Sequence, residues 1–279
     1  MIFQNRWEKR LHTAFNDKPI GIFDSGVGGL TVAREIIDKL PHENIVYLGD
    51  TARVPYGGRS PETVMRYSLE NTEFLMSEDI KMLVVACNTS SAVSLNILSN
   101  KFPIPIIGVV EPGARAAVEK TRLKKVAIIG TETTISSRSY ERAIQAIDDS
   151  ISISGTACPL FVPLIEEGWL EGDVVTLTAR EYLSAIVNDG ADTIVLGCTH
   201  YPMIKHVIKD IVQRPLIDSA VETAKEVQKV LEEMNICAND NAKAARKFYV
   251  TDSPDKFARV GERFLGHEIT DITKITLGG

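Results

Sequence analysis

Two stretches of the chain share one plan, and that plan limits what the rest can be. Met82 to Ala86 is an apolar run that ends in Cys87-Asn88-Thr89-Ser90-Ser91, after which a helical pattern begins. Ile194-Val195-Leu196-Gly197 ends in Cys198-Thr199-His200, again before a helical segment. A continuous apolar run of this length bounded by small polar residues reads as a buried parallel strand. Each cysteine therefore falls at the carboxyl end of a strand and just ahead of a helix, where open α/β sheets bind ligands.

The same rhythm runs through the chain. Strands are expected at Pro19–Phe23, Asn44–Leu48, Met82–Ala86, Pro105–Val109, Val126–Gly130, Ile151–Cys158, Ile194–Gly197, Pro215–Ile217 and Phe248–Thr251. Helices are expected between them, with Glu111-Pro112-Gly113 breaking the chain ahead of a helix from Ala114 to Lys120. Strands alternating with helices imply parallel sheets. Nearly equal lengths separate Asp24 from Cys87 and Thr131 from Cys198, and Cys87 from Pro105 and Cys198 from Pro215. The expected fold is thus α/β, with two pseudo-symmetric domains, each a parallel-sheet sandwich, and an active site in the cleft between them. The first domain is assigned residues 19–116 and 228–279, the second 117–227, and residues 1–18 form an N-terminal extension. That extension mixes Trp7 and Phe15 with charges and lacks the apolar core of a signal peptide. A polar linker is expected over 239–243.

Composition excludes several classes. A chain of 279 residues can build two cores. Its net charge of −6, without a long basic run, does not suit a nucleic-acid surface, and no apolar run reaches membrane-spanning length. The four cysteines form no CxxC pair, so reduced thiols and a cytoplasmic location are expected. Cys158 and Cys237 read as packing and linker residues.

The turn Asp24-Ser25-Gly26-Val27-Gly28-Gly29 follows the first strand. It matches neither GxGxxG nor a P-loop, so a nucleotide is not indicated, and a tight strand-to-helix turn explains it as well. Its position leaves backbone N–H groups available for an anion. Asp24 there suits either a helix cap or a site carboxylate. The loop 49–58, rich in Gly, Pro and Tyr, suits function more than filler.

Two cysteines in equivalent places admit several chemistries. Zinc would need further ligands, and His200 alone lies beside a cysteine in sequence. Covalent catalysis would need only one of the two with His200 as base. A lone cysteine would read as packing; a repeated polar flank argues for function. Opposed thiols suit a reaction in which one thiolate removes a proton from carbon and the other thiol returns one to the opposite face.

The motifs GIFDSGVGGLTV (21–32), Pro55-Tyr56-Gly57, Ala86-Cys87-Asn88-Thr89, Pro163-Leu164-Ile165-Glu166 and Gly197-Cys198-Thr199-His200-Tyr201-Pro202 closely resemble the cofactor-independent aspartate/glutamate racemase superfamily. His200 after Cys198-Thr199 resembles the glutamate branch, since aspartate racemases typically carry Glu there. The resemblance implies racemisation of glutamate without pyridoxal phosphate or metal, supplying D-glutamate for peptidoglycan, by a homodimer. It assigns Cys87 to the D-enantiomer and Cys198 to the L-enantiomer, with Asp24, Glu166 and His200 tuning the thiols. Adjacent Glu167 leaves the choice of glutamate open. Asp24, Ser25, Tyr56, Gly57, Asn88, Thr89, Thr131, Thr199 and His200 would bind substrate through hydroxyls, amides and free N–H groups. Two other readings stand beside it: a decarboxylase or cis-trans isomerase of the same superfamily, and a non-catalytic binder of an acidic amino acid or phosphate.

Overall fold

The structure, a computed structural model, describes residues 15–239 and 243–278. Most of the N-terminal extension and of the expected polar linker lies outside these residues. The chain alternates strand and helix: β1 (Ile20–Asp24), α1 (Leu30–Lys39), β2 (Ile45–Gly49), α2 (Pro61–Ser77), β3 (Met82–Val85), α3 (Asn88–Lys101), β4 (Ile106–Gly108) and α4 (Val110–Lys120). A second round follows: β5 (Lys125–Gly130), α5 (Glu132–Ser136), α6 (Ser139–Gln145), β6 (Ser152–Ala157), α7 (Phe161–Glu166), α8 (Asp173–Asp189), β7 (Thr193–Gly197), α9 (Lys205–Val212) and β8 (Leu216–Asp218). The long helix α10 (Ser219–Glu233) then leads to β9 (Arg246–Val250), α11 (Pro254–Leu265) and β10 (Ile272–Lys274).

The strands form two parallel sheets, β10-β9-β2-β1-β3-β4 and β6-β5-β7-β8. The order β2-β1-β3-β4 in the first recurs as β6-β5-β7-β8 in the second, so β1 corresponds to β5 and β3 to β7. Internal duplication is thus written in the strand order as well as in the spacing. Both copies place a cysteine within two residues of the end of the strand next to the leading one. The registers are in step: Ile20 pairs with Ile45 and Met82, and Val126 pairs with Ile153 and Thr193.

Alternate residues of each strand serve different cores, as a pleat requires. Ile20, Ile22, Met82 and Val84 share one apolar cluster with Ala127, Ile129, Ile194 and Leu196 of the other sheet. Phe23, Leu83 and Val85 face a separate cluster of the first sheet, and Val126, Ile128 and Val195 one of the second. The central core therefore joins the two sheets and fixes the cleft at their carboxyl ends.

One local expectation is corrected. Glu111-Pro112-Gly113 is no break but the first turn of α4, which begins at Val110; a first-turn N–H has no intrahelical acceptor, so proline is tolerated there. Residues 161–166, from Phe161 to Glu166, form a short helix. The segment after Cys198 opens with a 3-10 turn, Tyr201–Ile204, before α9. No helix among the described residues is long and apolar enough to cross a membrane.

Candidate active site

Between the carboxyl ends of the two sheets lies a cavity of about 430 Å³. Cys87 enters it from the end of β3 and Cys198 from the end of β7, each 5% exposed. Ser25, Tyr56, Gly57, Asn88, Thr89, Thr131, Glu166, Thr199 and His200 complete the set of sequence-expected residues on its wall. No Arg or Lys is among its lining residues. Val54, Glu132, Pro159 and Val162 also line it; their nearness to Pro55, Thr131 and Pro163 in sequence was the only signal that could have found them.

Asp24 is the exception. It is fully buried and stands behind the wall. The glycine-rich turn wraps around it: Gly26 N–H donates to Asp24 Oδ2 at 2.9 Å, and the Ser25 and Gly29 amides also face the carboxylate. The anion this turn holds is therefore the chain's own Asp24, which occupies the N–H groups expected to be free for a ligand. Burial raises the Asp24 carboxyl above its ordinary range, against the pull of His200 and these three amides. Thr199 Oγ1 reaches Asp24 Oδ1 at 3.5 Å. Thr31 Oγ1 donates to both Gly28 O and Thr199 O at 2.9 Å, tying the turn of the first sheet to the cysteine loop of the second. Gly28 is required here, because a Cβ would lie 2.4 Å from His200 Nδ1 and from Thr199 Oγ1.

The two thiols have different neighbours. Cys198 Sγ lies 3.9 Å from His200 Nδ1, and His200 Nε2 lies 3.1 Å from Glu166 Oε1. Glu166, and not the exposed Glu167, makes this contact. Burial works against an imidazolium at His200, but hydrogen bonds to Cys198 and Glu166 outweigh it and bring the imidazole up to about 10. For Glu166, burial is likewise outweighed by His200, and Lys256 adds to the pull, so its carboxyl sits below the ordinary range. The ring of His200 packs edge-on against Phe264 at 5.3 Å, and Arg263 Nη2 donates to Glu166 O at 2.8 Å. Among the described residues, no histidine stands beside Cys87. Burial, then the charges of Asp24 and Cys198, push its thiol up to about 12.

The remaining wall is held by polar contacts between the halves. Thr131 Oγ1 lies 2.9 Å from Thr89 Oγ1 and from Thr134 Oγ1. Thr133 Oγ1 donates to Gly57 O and Arg59 O at 3.0 Å, docking the loop of the first sheet on α5 of the second. Tyr56 donates its phenol proton to Asp50, whose carboxylate also accepts from Arg53 Nε at 2.7 Å and Thr251 Oγ1 at 2.9 Å. That buried network keeps the ring of Tyr56 against the cavity. Among the described residues, no group of three or more His, Cys, Asp and Glu side chains is arranged to hold a metal ion.

A family model described as Asp/Glu/Hydantoin racemase matches residues 29–227. Glutamate racemase from Geobacter metallireducens is 52% identical over 262 residues, covering 93% of this chain and 97% of that protein. Glutamate racemase from Syntrophus aciditrophicus is 45% identical over 261 residues, covering 93% and 97% respectively. Among solved structures, a glutamate racemase from Francisella tularensis in complex with D-glutamate superposes with a TM-score of 0.89 at 37% identity, covering 94% of this chain and 98% of that one.

Proposed function

The chain belongs to the Asp/Glu/hydantoin racemase family and, within it, to the glutamate racemases, and from that premise we propose that it interconverts L- and D-glutamate by two-base proton transfer between Cys87 and Cys198. The observation that carries this reading is a single cavity reached by one cysteine from each half of a duplicated fold.

In the L-to-D direction, Cys198 as thiolate removes the α-proton and the Cys87 thiol delivers one to the opposite face. The asymmetry of the free protein suits that direction. Cys87 rests as a thiol at neutral pH, ready to act as acid. The imidazolium of His200 stands beside Cys198, with Glu166 behind it. After transfer, Cys198 holds the abstracted proton and Cys87 is the thiolate, the arrangement needed to run the reaction backwards. Asp24, buried and raised in pKa, is placed to exchange a proton with the Cys87 side.

Substrate carboxylates would be held by dipoles rather than by fixed cations, from Ser25, Gly57, Asn88, Thr89, Thr131 and Thr199, with the Tyr56 ring closing the wall. The first turn of α3 adds backbone N–H groups beside Cys87. Such donors also stabilise the enolate-like charge that develops when the α-proton leaves. Neither step calls on a cofactor. The product would feed peptidoglycan synthesis in the cytoplasm, with the enzyme acting as a homodimer; the four free cysteines suit a reducing compartment.

Loss of optical rotation from L-glutamate, with D-glutamate appearing, tests the reaction. Cys87→Ser and Cys198→Ser should each abolish turnover while glutamate still binds. Either variant racemising near the wild-type rate would overturn the two-thiol assignment.

A further inference from the structure

Asn88 is 2% exposed and lines the cavity, yet among the described residues its Nδ2 has no hydrogen-bond partner. A buried amide N–H without an acceptor is costly, so one left open at a ligand cavity points to a ligand acceptor. What sets the amide that way is on the other half of the molecule. Tyr140, on α6, donates its phenol proton to Asn88 Oδ1 at 2.7 Å. The phenol is a thiol-like switch in no sense: burial keeps it protonated far above its ordinary range, so it remains a donor at any working pH. An amide whose oxygen accepts from Tyr140 must turn its nitrogen the other way.

The slot for Tyr140 is built closely. The ring is 2% exposed. A Cβ at Gly113 would lie 3.2 Å from its Cε1, and one at Gly197 would lie 3.3 Å from its Cε2. Gly197 immediately precedes Cys198, so the residue that admits the ring also begins the cysteine loop. Ser219, beside this slot, has its hydroxyl 3.1 Å from Leu196 O and hydrogen-bonded to the Tyr140 phenol, which holds the ring from a second side.

We propose that Tyr140 is a positioning residue: it locks the Asn88 side chain in the orientation that offers Nδ2 to a carboxylate of the bound amino acid. The inference rests on the racemase reading above and deepens it, because it couples substrate binding on the first half to a side chain of the second. Tyr140 itself touches no substrate. Without its hydroxyl the amide is free to flip and present Oδ1, which repels a carboxylate.

A double-mutant cycle read in KM tests this. KM is independent of the fraction of protein that is folded, so a loss of yield does not confuse it. Tyr140→Phe should raise KM for both enantiomers by about tenfold, the size expected for one hydrogen bond to a charged group, and leave kcat within about threefold. In an Asn88→Ala background the same change should leave KM unaltered, because the amide it orients is gone. A Tyr140→Phe protein with wild-type KM, or one whose KM rises by the same factor with and without Asn88, would overturn the assignment and leave Tyr140 as packing alone. The wild-type control separates the two levels. A wild-type protein that does not racemise glutamate contradicts the reaction, and with it the carboxylate assigned to Asn88; an active wild type with an unchanged Tyr140→Phe contradicts only the role of Tyr140.

Discussion

His200 Nδ1 stands 3.9 Å from Cys198 Sγ, and its other nitrogen is held by Glu166; among the described residues no histidine stands beside Cys87. A duplicated fold has thus been given two unlike acid–base environments. Since enantiomers have equal free energies, the ratio of kcat/KM in the two directions must stay at one for any variant. His200→Asn should therefore lower kcat/KM equally from either enantiomer, by about 10² to 10⁴ as expected for loss of a general acid–base partner. Stopped assays by circular dichroism from both sides check it. A loss of less than threefold would remove His200 from proton transfer.

The same histidine makes stability depend on pH. An unfolded imidazole titrates near 6.5 and this one is raised to about 10. Its contribution is fully present below the unfolded value and is lost as pH climbs through the folded one. Comparison with His200→Asn cancels the titrations that do not depend on His200. The difference in Tm between wild type and variant should be largest at pH 6 and shrink steadily toward pH 10. A difference that is flat or grows over that window would contradict the assigned charge state.

The glycine-rich turn is a spacer for catalytic groups more than a ligand loop. Gly28→Ala would set a methyl 2.4 Å from His200 Nδ1, so ring and turn must part. A cost of about 1–3 kcal/mol in stability is expected from such overpacking, together with a fall in kcat at least as deep as that of His200→Asn. Urea unfolding and initial rates measure the two. A fully active Gly28→Ala would show that the turn and the ring are not tightly packed.

How much of this was legible in the sequence follows from where the information lies. Strands such as β3 and β7 are buried on both faces and so read as unbroken apolar runs. The polar residues that follow them stand out against those runs, which is why Cys87, Asn88, Thr89, Cys198, Thr199 and His200 were visible as a group. The end strand β10, at the edge of its sheet and half exposed, has no such signature and was not anticipated. The start of α4 was misplaced because a proline inside a first turn looks like a break. Asp24 was expected in the site and instead sits behind it, since no local pattern tells a residue wrapped by its own turn from one facing a ligand. Tyr140 lay beyond reach altogether: it meets Asn88 only because the two halves pack together, and nothing near it in sequence marks that contact.

The central claim is that one proton leaves toward one sulfur and another arrives from the second. Racemisation of L-glutamate begun in deuterated water, stopped after a few per cent conversion and separated by enantiomer, reads this directly by mass spectrometry. Two bases predict D-glutamate carrying one deuterium at Cα while recovered L-glutamate carries almost none. Deuterium rising equally in both enantiomers, or product that retains the original proton, would mean that a single group serves both faces.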